Sequence, residues 1–309
     1  MKKQPQPPSE EGDSTAQIRC NACSNVAPAS DSFHTHDCAD VLGVQVSAIN
    51  MSRAIDTADQ WIRAGQPGYV CVTGVHGVME AHKDHEFREI LNRAMMNTPD
   101  GMPMSWVGRL QGFDDMDRVF GPDFMSAMCQ LSLERGFRHF LYGGRPGVAE
   151  KLKQALEKKF PGLQIVGTHT PPFRDLNAAE EDALFAQVCN SRPHILWVGM
   201  STPKQERFMA QYVDRLHVPL LAGVGAAFDY HTGLIRDCSP WIKRAGLQWL
   251  HRLAQDPRRL WRRYLRNNPA FVWNIALQLL KLRRYPRISD MPATEEKNLL
   301  VRRPPHISP

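Results

Sequence analysis

The chain has 309 residues, a net charge of +6 and a pI near 9.0, so it can hold one large or two modest domains, and its basic balance points to an anionic partner. No apolar run reaches the ~20 residues that span a bilayer, and the N-terminus M-K-K-Q-P-Q-P-P-S lacks the apolar core of a signal peptide. Seven scattered cysteines fit free thiols in a reducing cytoplasm better than a disulfide framework.

Residues 1–38 are rich in Pro, Ser and Asp and read as a disordered leader. Cys20-x-x-Cys23 with His34, His36 and Cys38 has the residue types of a zinc site, but the H-x-H spacing and the lack of core residues argue against a finger. Periodic sequence begins at Val41. Residues 41–49 predict a strand, and residues 51–64 a helix with Ile55, Ala58 and Ile62 on one face. Residues 69–73 predict a short buried strand ending in T-G-V-H-G, where Thr73 and His76 can reach a ligand; His76 reads equally well as a structural hydrogen-bonder. A helix is predicted over 78–92.

Asp100, in T-P-D-G, stands at a strand-to-helix corner, where it reads either as a helix cap or as a general base. R-V-F-G-P-D from Arg118 is a second polar corner, ahead of a helix over 124–135. Residues 137–142 predict a strand leading into G-G-R-P-G, and residues 148–159 a helix. Gly143, Gly144 and Gly147 therefore form a glycine turn at a helix N-terminus, the pattern of a diphosphate or ribose seat. A strand over 165–168 and an amphipathic helix over 178–189 follow.

The apolar run Ile195, Leu196, Trp197, Val198 breaks at Gly199 and enters a helix-prone segment at Pro203. Unpaired N–H groups and a helix dipole at such a place suit an anion, with Lys204 and Gln205 adding a cation and an amide. A strand over 218–224 then runs to Asp229. The alternation from Val41 to Asp229 predicts an α/β fold, Rossmann-like, with a mainly parallel sheet and helices on both faces. Beyond it, Ser239-Pro240, Asp256-Pro257 and Asn268-Pro269 each predict a helix start. These helices mix aromatic residues with dense arginine, and residues 271–282 are apolar but too short to span. The C-terminal segment thus reads as a basic helical appendage suited to a membrane surface or a lipid-linked anion.

Taken together, P-D-G at Asp100, R-V-x-G-P-D at Arg118, Y-G-G-x-x-G-V-A-E, G-x-x-x-P-K-Q-E, G-x-G-A-x-F-D and L-Q-W-L-H-R-L-x-x-D-P-R-R-x-x-R resemble the WecG/TagA/CpsF glycosyltransferase family over about residues 41–264. The resemblance implies an inverting, metal-independent transferase without cofactor, working at the inner face of the bacterial plasma membrane. It implies transfer of a hexose or N-acetylhexosamine from a UDP-sugar to an undecaprenyl-diphosphate-linked sugar in exopolysaccharide or envelope-glycan synthesis. Asp100 then stands as the base and Thr73 as the threonine near it. Gln205 and Asp229 match polar residues at the donor site, and Arg252, Arg259 and Arg262 the arginines that meet the diphosphate. Gly143, Gly144, Gly199 and Lys204 are the further groups available to the departing UDP. Where many members read T-x-N, Val75 replaces the asparagine, which leaves the identity of the sugar open.

The domain organisation expected is a leader over 1–38, a catalytic core over 39–237, the appendage over 238–285 and a disordered tail over 286–309. A homo-oligomer is compatible with this layout, and no nucleic-acid partner is expected. A nucleotide-dependent oxidoreductase is the main rival, but it would need G-x-G-x-x-G and an acidic residue ~20 positions later. A basic nucleic-acid binder would leave the glycine corners and Asp100 without a role.

Overall fold

The structure, a computed structural model, describes residues 36–285. Most of the leader, with Cys20, Cys23 and His34, and the tail over 286–309 lie outside the described residues.

The first expected strand is instead a hairpin. β1 (Cys38–Val41) and β2 (Val44–Ser47) pair antiparallel around Leu42 and Gly43. Both turn residues have positive φ, 56° and 84°, as a two-residue hairpin turn requires. The Gly43 N–H is satisfied by Asp40 Oδ1 at 2.8 Å. A leucine in the left-handed region is what the apolar run concealed.

α1 (Met51–Ala64) follows as expected, capped by the Asn50 side chain on Arg53 N. β3 (Gly68–Thr73) leads into α2 (Val75–Lys83) and α3 (His85–Asn92), where one helix over 78–92 was predicted. Asp84 is extended there (φ −127°, ψ 105°), caps Phe87 N and pairs with Arg207, so the break has its own hydrogen bonds. Next come β4 (Met96–Pro99), α4 (Met102–Leu110), α5 (Gly121–Arg135), β5 (Arg138–Gly143), α6 (Val148–Lys159) and β6 (Gln164–His169). After them lie α7 (Ala178–Ser191), β7 (Ile195–Gly199), α8 (Lys204–Leu216), β8 (Leu220–Gly223) and the short α9 (Ala227–His231).

Six strands form one parallel sheet in the order β4-β3-β8-β7-β5-β6. Its inner strands β3, β8 and β7 are buried and largely apolar on both faces, as a sheet covered by helices on each side demands, while the edge strands β4 and β6 carry Asn97, Thr98, Gln164 and Thr168. Val78, Phe87, Phe208 and Met209 pack α2, α3 and α8 on one face. Met125, Leu152 and Phe228 pack α5, α6 and α9 on the other.

Three further helices close the described chain: α10 (Pro240–Arg244), α11 (Gln248–Gln255) and α12 (Pro257–Leu279). Pro240 and Pro257 open helices as expected, whereas Pro269 lies inside α12. The carbonyl four residues earlier, which loses its helical partner there, belongs to Leu265 on the exposed side. α12 is firmly attached to the sheet domain. Phe271 and Ile275 join the same core cluster as Val78 and Phe87, and Gln278 bonds both Leu42 N and Asp40 O of the hairpin at 2.9 Å. Among the described residues no helix is long and apolar enough to cross a membrane.

Candidate functional site

Chains leaving β3 and β7 turn to the α2/α8 face, while the chain leaving the intervening β8 turns to the α9 face. Divergence of neighbouring crossovers opens a crevice beyond the carboxyl ends of these strands, where sheets of this type bind ligands. A cleft of about 3500 Å³ occupies that position, roofed on one side by α11 and α12. Single small-molecule sites run to roughly 300–1,000 Å³, so the cleft has room for two substrates.

Asp100 follows β4 directly and lines the cleft, half-buried. Its N–H donates to Thr73 O at 2.9 Å, which extends the β3–β4 ladder by one step. Desolvation by burial pushes its carboxyl pKa up, while the nearby cations of Arg118 and Arg252 hold it back. Its side chain makes no N-cap bond to α4, whose cap is Gly101. A carboxyl with raised pKa, open to a cleft and flanked by two guanidinium groups, has the properties of a general base beside an anion site. Thr73 is buried behind it and does not line the cleft.

The glycine turns behave differently from expectation. Gly143 does not line the cleft; it has φ 120°, and a Cβ there would sit 2.6 Å from Gly199 O. Gly144 lines the cleft, but its N–H is spent on Gly199 O at 2.8 Å. A Cβ on Gly199 would meet the Phe228 ring at 2.7 Å. These glycines let β5, β7 and α9 pack closely, and Gly199, like Gly144, also lines the cleft. Lys204 is exposed at the start of α8 and lines the cleft, as do half-buried Asp229 and buried Gln205.

The cationic wall comes from elsewhere. Arg118 lies with its Cζ 4.2 Å from the centroid of the Phe120 ring, and its Nε and one Nη are buried without a hydrogen-bond partner. Arg252 of α11 sits over Tyr230, and Arg259 of α12 lines the cleft while paired with Asp256 at 2.9 Å. Arg262 is exposed, lies over Trp261 and is outside the cleft. Arg263 lines it instead, with a buried Nε lacking a partner. The break at Asp256 sets the phase of α12: Leu260, Arg263, Asn267 and Phe271 recur at helical spacing on the inward side. That stripe was readable in the sequence and would have chosen Arg263 over Arg262. Unpaired buried guanidinium donors are rare in proteins unless a ligand supplies the acceptor.

His76 lines the cleft at the start of α2, with Nδ1 3.2 Å from Asn267 Nδ2 of α12 and a bond to the Thr202 backbone. Burial, and then the Arg263 charge, lower its pKa to about 4, so it is neutral near pH 7 and serves as a tie between α2 and α12. Among the described residues no group of three His, Cys, Asp or Glu side chains is arranged to hold a metal ion.

A family model described as "Glycosyl transferase WecG/TagA/CpsF family" matches residues 39–285, from the hairpin through α12. The chain is similar to an N-acetylglucosaminyldiphosphoundecaprenol N-acetyl-beta-D-mannosaminyltransferase of Bacillus subtilis (strain 168). The two are 25% identical over 185 residues, which is 60% of this chain and 70% of that protein. It is likewise similar to a protein with the same description from Bacillus spizizenii, 26% identical over 186 residues, or 60% of this chain and 70% of the relative.

Proposed function

The chain belongs to the WecG/TagA/CpsF family of glycosyltransferases, and from that premise we propose that it moves a hexose or N-acetylhexosamine from a UDP-sugar to an undecaprenyl-diphosphate-linked sugar. Membership of a transferase family supports this reading over the oxidoreductase and nucleic-acid ones. The observation that carries the proposal is Asp100: a carboxyl whose pKa burial raises, in a cleft that it shares with the Arg118 and Arg252 guanidiniums acting on it.

In the reaction proposed, an acceptor hydroxyl oxygen bonds to C1 of the donor sugar from the face opposite the diphosphate. Its proton passes to Asp100, the C1–O bond to UDP breaks with its electrons on the phosphate, and the anomeric centre inverts. The departing diphosphate needs positive charge placed in advance. Arg118 and Arg263, with unmet donors, and Arg252, Arg259 and Lys204 line the same cleft and supply it without a metal. The acceptor's own diphosphate is a second anion for the arginines of α11 and α12.

A lipid-linked acceptor calls for contact with a bilayer surface. Val272 and Trp273 of α12, 66% and 67% exposed, line the same cleft as Arg259 and Arg263, and Leu280 just past the helix is 68% exposed. This apolar and basic surface suits a peripheral site on the inner face of the plasma membrane. A panel of UDP-sugars, scored by UDP release with and without a lipid-diphosphate N-acetylglucosamine acceptor, tests the proposal. Acceptor-dependent release from one UDP-sugar, unaffected by EDTA, is expected. Release that needs a divalent cation, or none from any UDP-sugar, contradicts it.

A further inference from the structure

Gln205 and Glu206 begin α8 beneath the cleft and are 2% and 1% exposed. Gln205 Nε2 donates to Glu206 Oε1 at 3.0 Å, and Thr202 Oγ1 donates to that same oxygen at 2.8 Å. With Nε2 committed to a carboxyl oxygen, the network assigns the other end of the amide as Oε1. Oε1 is buried, has no hydrogen-bond partner and faces the end of β8, where a Cβ on cleft-lining Gly225 would stand 3.6 Å from it. Glu206 itself does not line the cleft, so it reaches a ligand only through its neighbour. A desolvated carbonyl oxygen held in one orientation at a ligand site is an acceptor awaiting a donor.

Resting on the glycosyltransferase reading, we propose that Glu206 is a positioning residue that locks the Gln205 amide so that Oε1 accepts a hydrogen bond from a hydroxyl or N–H of the sugar-nucleotide donor. Without the lock, the amide turns and offers its NH2 group, and the site loses discrimination for a donor hydrogen. The lock needs an acceptor at position 206 and no charge. Burial favours the neutral form of this carboxyl. Its second oxygen, Oε2, has no partner, so an amide in its place breaks no existing hydrogen bond.

The test is a double-mutant cycle on kcat/KM for the UDP-sugar at saturating acceptor, with melting curves for each variant. Glu206→Gln keeps an acceptor for both donors and stays within about threefold of wild type. Glu206→Leu loses about tenfold or more, the scale of one buried hydrogen bond. In a Gln205→Ala background the same Glu206→Leu change has no further effect, because the group it positions is gone. Should Glu206→Leu fail to fold, Thr202→Val removes one of the two donors on Oε1, and a smaller loss that again vanishes in Gln205→Ala is expected. Equal losses in both backgrounds, or full activity of a folded Glu206→Leu, overturn the proposal while leaving the transferase intact. No UDP release by the wild type overturns the transferase reading and this one with it.

Discussion

Asp100 hangs from Thr73: its backbone N–H donates to the Thr73 carbonyl at 2.9 Å, so the base proposed at the end of β4 is fixed by the end of β3. Gly74 lies against this joint. A Cβ at Gly74 would stand 2.9 Å from Asp100 O and 3.6 Å from its Oδ2, and the nearer contact is with backbone that cannot swing aside. Gly74→Ala should therefore displace the carboxylate while leaving the core filled. Turnover is expected to fall by about 10²-fold, the scale of a 1 Å misplacement. Steady-state kinetics beside a thermal melt checks this; unchanged kcat would show that the position of Asp100 is not critical.

Arg118 holds the Asp100 carboxyl below the pKa that burial alone would give it. Removing the cation should raise that pKa further. The base works deprotonated, so the acidic limb of the kcat/KM profile should move to higher pH in Arg118→Ala. A profile whose acidic limb stays in place would detach Arg118 from Asp100.

The His76 tie gives a pH dependence of stability. Its folded pKa is about 4 against 6.5 for a free imidazole, so at high pH both states are neutral and the group contributes nothing to the slope. Between pH 6.5 and about 4 the unfolded chain takes up a proton that the folded chain refuses, and stability falls as pH drops. At about 1.4 kcal/mol per unit, the loss is on the order of 2–3 kcal/mol. His139, buried and lowered to about 3, adds loss over the same window. His76→Gln should shrink the stability difference between pH 7 and pH 4.5 measured by urea unfolding, leaving the share due to the other groups that titrate, among them His139 and the likewise lowered His82, His194 and His231.

α12 faces two environments, and the two sides predict opposite phenotypes. Phe271 is 4% exposed in the main core, so Phe271→Ala should cost about 3–5 kcal/mol. Val272 and Trp273, next in sequence, are 66% and 67% exposed. Replacing both with Ser should change stability by no more than about 1 kcal/mol, yet lower binding to anionic vesicles by about tenfold or more. Sedimentation with vesicles and urea unfolding read the two effects separately.

Most of the parallel sheet was legible because β3, β5, β7 and β8 are short, mainly apolar runs that end at or beside a glycine, and α1 and α6 were legible to the residue. What escaped were places where one residue overrides the pattern. Leu42 in a left-handed turn hides a hairpin, extended Asp84 divides α2 from α3, and Pro269 is absorbed by α12. In the site, Asp100, Gln205, Asp229, Arg252 and Arg259 do meet in one cleft. Gly144, Gly199 and Lys204 line it too, whereas Gly143 lies outside it and serves the close approach of β5 to β7. Arg118 and Arg263 were missed because an unpaired buried donor is a three-dimensional property, although their motif and helical stripe were in view.

The most direct test of the account is the rate of UDP release from the preferred UDP-sugar by wild type and Asp100→Asn, with and without a lipid-diphosphate-linked N-acetylglucosamine acceptor. The account predicts acceptor-dependent release by the wild type, and a variant that binds UDP equally well but loses that rate by about 10²-fold or more. Acceptor-dependent release by Asp100→Asn at close to the wild-type rate would contradict it.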